Sequence, residues 1–424
     1  MTRMKESGID WIGQIPEEWE VAKVNHIFEE HKQKNRGNKE KNLLSLSYGR
    51  IIRKSIDSSF GLLPESFDTY NIIQRGDIVL RLTDLQNDKR SLRVGLAREN
   101  GIITSAYLTL RLKNLESNDS YMYYLLHTYD ICKVFYNFGG GVRQGGTWSD
   151  IYKMELLIPP CNEQQKIADF LDKKTAQLDK AKALLEEQIQ KLKDYRASLI
   201  YETVTKGLDK TVPMKDSGID WIGQVPGGWG VKRLKDYVDF QTGTTPPQSI
   251  GVNQERKGVR WFKPGDFSDE SVDLTSAENY ITSEVVIQQK LSVYPEKTIL
   301  VVGIASIGKV GYSENHSYSN QQITALKVTG QIFPKYLAYL MFSSGQYIRE
   351  TALYTIVPII NNQYLSSLKI VLPNRVVQET IVEYLDKKIG QINKMIVIKN
   401  EQIKNINKQR QTLIYDYVTG KRRV

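Results

Sequence analysis

The chain has 424 residues, of which 40% are hydrophobic and 25% charged, with a formal net charge of +10 from 58 Lys+Arg against 48 Asp+Glu. Such a chain can bury a core, which excludes a disordered protein, and its longest uncharged apolar run, Ile299–Ala305, is far short of the ~20 residues that span a bilayer. Two cysteines (Cys132, Cys161) and four histidines without ligand spacing argue against a disulfide scaffold or a metal enzyme.

At roughly 100–200 residues per domain, the length predicts two to four domains. The N-terminus, Met1–Gly8, lacks the apolar stretch of a signal peptide, and free thiols fit a reducing compartment, so the expected location is cytoplasmic. The basic balance favours a polyanionic partner.

Residues Met4–Val21 read MKESGIDWIGQIPEEWEV and Met214–Val231 read MKDSGIDWIGQVPGGWGV, identical at 13 of 18 positions. Repeats of this strength point to a duplicated chain. A second pair of matching segments follows at an offset of 214. Leu156–Pro159 matches Ile370–Pro373, and Gln164, Ile167, Leu171 and Asp172 match Gln378, Ile381, Leu385 and Asp386. Each half is therefore a short tag, a divergent body and a similar C-terminal segment.

The first body (22–158) holds strand-like runs at Asp77–Leu82 and Tyr107–Leu112, and a helical stretch at Tyr121–Tyr136. Glu163–Thr205 contains neither Pro nor Gly and follows Pro159-Pro160, which suits entry into a long helix. Steps of 4 and 3 from Ile167 pass through Leu171, Lys174, Leu178, Ala181, Leu185, Gln188, Leu192, Tyr195 and Leu199, a coiled-coil seam.

The second body (232–372) has runs at Lys297–Val302 and Ile323–Val328, with Pro334–Tyr347 helical. Its helix carries Ile381, Leu385, Lys388, Ile392, Met395, Lys399, Gln402, Ile406, Gln409 and Leu413, widened by Ile396 and Ile403. At 1.5 Å per residue each helix is about 60 Å long. Two such stripes in one chain can satisfy each other as an intramolecular pair. The fold class is thus α+β, with a pseudo-two-fold internal repeat.

Loops of both bodies are rich in groups that contact nucleic acid. The first body offers Tyr48 and Arg50; Arg81, Thr83, Gln86, Asn87, Lys89 and Arg90; and Arg143 and Gln144. The second offers Thr242, Thr244, Thr245, Arg260, Lys263, Asn320, Gln321, Gln322 and Asn362. Arg pairs bidentately with guanine and Asn or Gln with adenine, while Lys holds phosphates. Net charge is +4 over 20–158, +2 over 230–372 and +6 over 373–424, so the basic excess lies mostly on the second helix and the Lys421-Arg422-Arg423 tail. That tail is either a phosphate contact or a solvated terminus.

There is no GxxxxGK[ST] loop, no Asn-Pro-Pro-aromatic motif, and no nucleophile–base constellation. These gaps point to a recognition module rather than a catalyst. A stand-alone DNA-binding regulator and a coiled-coil interaction scaffold are the alternatives.

At this point the sequence resembles the specificity subunits of type I restriction-modification systems. The resemblance rests on the repeated Ser-Gly-Ile-Asp-Trp-Ile-Gly-Gln-x-Pro-x-x-Trp tag (Ser7–Trp19, Ser217–Trp229) and on Pro-x4-Gln-x2-Ile-x3-Leu-Asp (Pro159–Asp172, Pro373–Asp386). It rests also on Val204–Leu208, Gly76-Asp77-Ile78-Val79, Gly243-Thr244-Thr245-Pro246 and Asn320-Gln321. Lys297-Thr298 stands where that family's Gly-Asp would be expected.

The resemblance implies two α/β target recognition domains separated by two long antiparallel coiled-coil helices. The order would be a tag (1–21), recognition domain 1 (22–158), a long helix (159–206), linker and second tag (207–231), recognition domain 2 (232–372) and a second long helix (373–424). Each domain would read one half of a split site on double-stranded DNA, with the helices setting the spacer. Two methyltransferase and two restriction-translocase subunits would be the partners. S-adenosylmethionine, ATP and magnesium would sit only on those partners, and no metal or cofactor on this chain. Because the tag tryptophans Trp11, Trp19, Trp221 and Trp229 are the same in both halves, they cannot distinguish two half-sites, and a packing role is expected for them.

Overall fold

A computed structural model describes residues 3–54, 66–85, 92–114, 116–137, 145–245, 252–253, 256–354 and 358–424. The chain divides into two compact units, Met1–Leu185 with Glu401–Val424, and Glu186–Asn400. Each unit holds one body, one tag and a stretch of each long helix.

The centre of each body is a four-stranded antiparallel sheet of the same strand order. In the first unit the order is Phe28–Glu30, Leu108–Leu112, Ile78–Leu80, Val94–Leu96. In the second it is Val238–Thr242, Ile323–Val328, Thr298–Val302, Val310–Ser313. The registers equate Ile78 with Ile299, Leu110 with Leu326 and Val94 with Val310.

These strands are unbroken apolar runs rather than alternating ones because both faces of the sheet are covered. Ile78 and Leu80 face the cluster that includes Tyr121, Leu125 and Tyr129 of the helix Asp119–Ile131. Val79 faces the other way, toward Leu44 and Leu46 of the hairpin Leu44–Ser47/Arg50–Arg53. Likewise Ile299 and Val301 face the helix Pro334–Ser343, and Leu300 and Val302 pack with Phe262, Phe267 and Tyr294.

Several elements are shorter than the sequence suggests. The expected strand Asp77–Leu82 is reduced to Ile78–Leu80, because Asp77 turns to hold Arg111 and Arg81–Asp84 curl around a buried arginine described below. The helical stretch Tyr121–Tyr136 becomes Asp119–Ile131 plus a 3-10 turn, Val134–Asn137, separated by Lys133 at φ 64°. Pro334–Tyr347 breaks at Ser344 into Pro334–Ser343 and Gly345–Thr351.

The long helices run Cys161–Lys206 and Arg375–Val418. Within each unit their segments are antiparallel. In the first, Phe170 meets Tyr417 and Asp179 meets Arg410. In the second, Gln188 accepts from Lys399 Nζ and Asn393 from Arg196. The expected seam is half right. The rows Leu171, Leu178, Leu185, Leu192, Leu199 and Leu385, Ile392, Ile406, Leu413 are buried or half-buried. The alternate rows, however, are Thr175, Lys182, Ile189, Arg196 and Ile389, Ile396, Ile403, Arg410, of which Ile396 and Ile403 are the expected widening of the stripe. Lys174, Gln188, Tyr195, Met395, Gln402 and Gln409 are exposed instead, each one position before the buried row, and Ala181 and Lys388 stay half-buried beside it. A leucine every seventh residue leaves two choices for the row between, and packing against the bodies selects the second.

The Pro-x4-Gln and Leu-Asp positions are docking points between body and helix. Gln164 donates through Nε2 to Pro159 O (2.9 Å) and accepts the backbone N–H of Asn118, at the start of the body helix (2.9 Å). Gln378 does the same with Pro373 O and the N–H of Phe333 (2.9 and 2.7 Å). Asp172 accepts from Tyr124 Oη, as Asp386 does from Tyr339 Oη (2.7 and 2.6 Å). Tyr121 donates toward Leu157 O and Val418 O, and Tyr336 toward Val371 O and Val204 O. Every one of these groups recurs at its counterpart.

Each tag folds as a small hairpin, Met4–Glu6/Gln14–Pro16 and Met214–Asp216/Gln224–Pro226, and packs on the C-terminal end of a long helix of its own unit. Trp19 is fully buried and donates to Glu163 Oε2 (3.0 Å). Trp229 lies against Gly207, whose φ of +73° lets the chain turn out of the helix. Trp221 O and Trp11 O accept from Tyr201 and Tyr415. The basic tail is exposed, as a solvated terminus would be, and it is also tied down. Lys421 Nζ donates to Ile12 O and Gln14 O, and Arg423 pairs with Glu18 and Glu163, closing the tail over the first tag.

Candidate nucleic-acid interface

In the second body the candidate residues converge on the ends of adjacent strands. The strand Val238–Thr242 runs into Gly243-Thr244-Thr245, whose backbone bonds to the loop beside it: Gly243 N–H to Ile323 O and Thr244 N–H to Ser319 O (3.0 Å each). A Cβ on Gly243 would come within 2.3–2.4 Å of Ser319 O, Asn320 O and Ser319 Oγ, so only glycine permits this approach. Thr245 donates to Gln321. Asn320, 8% exposed, accepts the N–H of Gln322 and donates to its Oε1, which shapes the turn that presents Gln321.

Asn362 opens the short helix Asn362–Ser367 and accepts from Thr324 Oγ1 (3.2 Å). Its neighbour Ile360 donates to Gly303 O, and Gly303 donates to Gln322 O, so three loops share backbone bonds. Asn320 N–H reaches Phe262 O, which places Lys263 at the edge of the same cluster, its Nζ 4.9 Å over the Trp261 ring. Arg260 lies two residues back on that strand, paired across from Ser317. The exposed face therefore carries Thr242, Thr244, Thr245, Gln321 and Asn362 together.

The first body uses the same strand ends. The registers equate Arg81-Leu82-Thr83-Asp84 with Val302-Gly303-Ile304-Ala305, and Asp84 and Ala305 share a left-handed φ of 58° and 64°. Gly146 N–H donates to Leu82 O as Ile360 does to Gly303 O. Gly146 and Ile360 are thus the same structural position, and Thr147 and Asn361 cap the short helices that follow, Trp148–Ile151 and Asn362–Ser367. Arg81 and Thr83 stand on this loop, half-buried. Gln86, Asn87, Lys89, Arg90, Arg143 and Gln144 lie outside the described residues.

Tyr48 and Arg50 stand apart from that cluster, at the tip of the hairpin. Tyr48 is 84% exposed with φ 47°. Arg50 is ion-paired with Asp179 of the long helix, so contact with DNA would require it to change partners. Tyr123 Oη holds Gly49 O (3.3 Å), which docks the hairpin on the body helix.

Two buried groups organise this region, Arg93, which the sequence did not single out, and Asp77, whose partner it did not show. Arg93 is fully buried and donates to the carbonyls of Arg81 (3.1 Å), Thr83 (2.7 Å) and Asp84 (3.2 Å). Asp77, 2% exposed, takes a bidentate pair from Arg111 (2.7 Å twice), which raises the Arg111 pKa. Asp77 was visible in the Gly-Asp motif, but its partner lies 34 residues away with no local pattern. In the second body Thr298 replaces Asp77 and Lys327 replaces Arg111, and Lys297 takes the left-handed place of Gly76 (φ 61° against 95°).

Among the described residues no group of three or more His, Cys, Asp or Glu is placed to hold a metal ion. No described helix is long and apolar enough to cross a membrane.

The family model for the type I restriction modification DNA specificity domain matches twice, over residues 16–193 and 226–405. The MjaVIII type I restriction enzyme specificity subunit of Methanocaldococcus jannaschii is 22% identical over 437 aligned positions, covering 97% of this chain and 94% of that one. The EcoR124I/EcoR124II specificity subunit of Escherichia coli is 28% identical over 254 positions, 57% of each chain. A chain solved in work on complex assembly and conformational transition of the type I R-M system has the same fold, with a TM-score of 0.72 at 17% identity over 95% of this chain and 98% of that one. The HsdS subunit of Thermoanaerobacter tengcongensis is similar at TM-score 0.51 and 17% identity, over 96% and 98%. With two copies of the specificity domain and both halves of its repeat in place, the chain belongs to the type I restriction-modification specificity subunits, whose repeated domains recognise DNA.

Proposed function

We propose that the two bodies read the two halves of a bipartite, asymmetric DNA site, that the helix pair sets the spacer between them, and that the chain itself catalyses nothing. The observation that carries this reading is one frame with two different surfaces. The four-stranded sheets share their order and their loop closures, yet the strand ends present Arg81 and Thr83 in one body and Thr242, Thr244, Thr245, Gln321 and Asn362 in the other. Same frame and different side chains is what two dissimilar half-sites require, since phosphate contacts position a reader and base contacts specify it.

In this reading Arg260 and Lys263 hold backbone, Asn320 and Gln322 shape the loop, and Gln321 and Asn362 are the adenine-reading candidates. Gln86, Asn87, Lys89, Arg90, Arg143 and Gln144 serve the first half-site. The repeated surfaces beside the tags and long helices dock two methyltransferase and two restriction subunits in the cytoplasm. S-adenosylmethionine, ATP and magnesium belong to those subunits.

The test is to map methylated adenines genome-wide in cells expressing the chain with its methyltransferase subunits. A split asymmetric motif is expected. Exchange of residues 22–158 for another body should change one half of that motif only. Deleting seven residues from 181–192 should alter the spacer or abolish activity. A continuous motif, both halves changing together, or an unaltered spacer would each refute the corresponding part.

A further inference from the structure

We propose that Arg93 is a positioning residue for the first body: one buried guanidinium fixes the loop Arg81–Asp84, which carries Arg81 and Thr83, and ties it to the turn Val134–Asn137. The inference rests on the reading that this body recognises part of a DNA site. Arg93 is 0% exposed and cannot itself meet DNA. Its Nη1 and Nη2 take three carbonyls of a single loop, those of Arg81, Thr83 and Asp84, and so hold Asp84 in its left-handed conformation. Its Nε donates to Tyr136 Oη (3.1 Å), and the guanidinium lies 5.2 Å from the centre of that ring.

Tyr136 belongs to the turn Val134–Asn137. Gly146 N–H meets Leu82 O of the loop Arg81–Asp84 (2.7 Å). That loop is therefore bonded both to Tyr136, through Arg93, and to Gly146. Its own backbone N–H is held by Asp130 Oδ2 (2.7 Å) on the body helix.

The second body does this differently. Lys309 stands at the equivalent place but points its Nζ to Phe267 O (3.3 Å) and toward Asp269 (3.7 Å). The loop Val302–Ala305 keeps the equivalent closure, Ile360 N–H to Gly303 O, while the Lys309 side chain bonds elsewhere. A planar, forked donor is needed for several carbonyls at once, which lysine cannot replace.

The experiment compares Arg93→Lys and Tyr136→Phe with the native chain, each assembled with the methyltransferase subunits. Binding is measured to three duplexes: the mapped site, the site altered in the first half, and the site altered in the second. Arg93→Lys should cut discrimination at the first half-site about tenfold, the size of one well-made base contact, and leave the second within about twofold. Tyr136→Phe should cut the first by about threefold and spare the second, since one neutral hydrogen bond is lost. Affinity for unrelated duplex should not move.

Equal losses at both half-sites, or no change in folded, assembled Arg93→Lys, would overturn the proposal. If that variant does not assemble, an unchanged first-half ratio in Tyr136→Phe overturns it. Failure of the underlying reading looks different, because exchange of residues 22–158 would then move neither half-site.

Discussion

His127 offers a sharp test of the packing between the first body and the second long helix. It is 1% exposed on the helix Asp119–Ile131, and neither ring nitrogen has a hydrogen-bond partner among the described residues. Its ring lies 5.8 Å from that of Tyr123. Burial first, and then the charge of Arg410, hold its pKa far below the ordinary 6.5, at about 3. The unfolded chain takes up a proton below pH 6.5, whereas the folded one resists until about pH 3. Between those values the unfolded state binds more protons, so stability falls as pH falls, by about 1.36 kcal/mol per pH unit.

The equivalent residue in the second body is Phe342, which packs against its core. His127→Phe should therefore abolish this term. Relative to its own value at pH 7.5, the native chain should lose about 2–3 kcal/mol more than the variant by pH 4.5. Urea unfolding of both proteins at pH 7.5, 6.5, 5.5 and 4.5 measures this, and taking the difference cancels every other titrating group. At pH 7.5 the variant also sheds two unpaired ring nitrogens, though the bulkier ring opposes that gain. Curves that run parallel from pH 7.5 to 4.5 would show that the imidazole is not held neutral, and the reasoning would fail.

Three further outcomes follow from the same geometry. Lys297→Gly removes a side chain from a left-handed residue and should stabilise the second body by about 0.5–1 kcal/mol in thermal unfolding, whereas Gly76→Lys should destabilise the first. Gln378→Ala removes the bond to Pro373 O and leaves the N–H of Phe333 without its acceptor, so it should cost about 1–3 kcal/mol, matched by Gln164→Ala, while a loss below ~0.5 kcal/mol in both would deny the motif its docking role. Arg423→Ala should loosen the first tag, seen as faster amide exchange at Ile12 and Trp19, and it should leave exchange at Ile222 and Trp229 unchanged.

Much of this was legible before any coordinates. The duplication, the two long helices and the strands Leu108–Leu112, Thr298–Val302 and Ile323–Val328 rest on repeats and on apolar runs, which are local signals. Glycines flagged a left-handed turn at Gly76 and a real constraint at Gly243, where a Cβ would strike the neighbouring backbone. The candidate residues of the second body come from four separate segments, yet their polar character marked them, since a polar side chain at a strand end meets solvent.

What the sequence could not decide was everything that depends on a partner distant along the chain. The seam's alternate row turns on how the helices pack against the bodies, so Tyr195 and Met395 face out while Arg196 and Arg410 face in. The tail at Lys421–Arg423 looked like a basic arm until its carbonyl and carboxylate partners, about 260–410 residues earlier, closed it over the first tag. Arg93 gave no signal because its three carbonyl acceptors carry no side-chain identity at all. The sequence by itself determined the repeat, the element types and, in outline, which polar segments meet at the strand ends. Tertiary structure alone decided which charges are spent inside the protein, because a guanidinium's role is set by whichever acceptors the fold brings within about 3 Å of it.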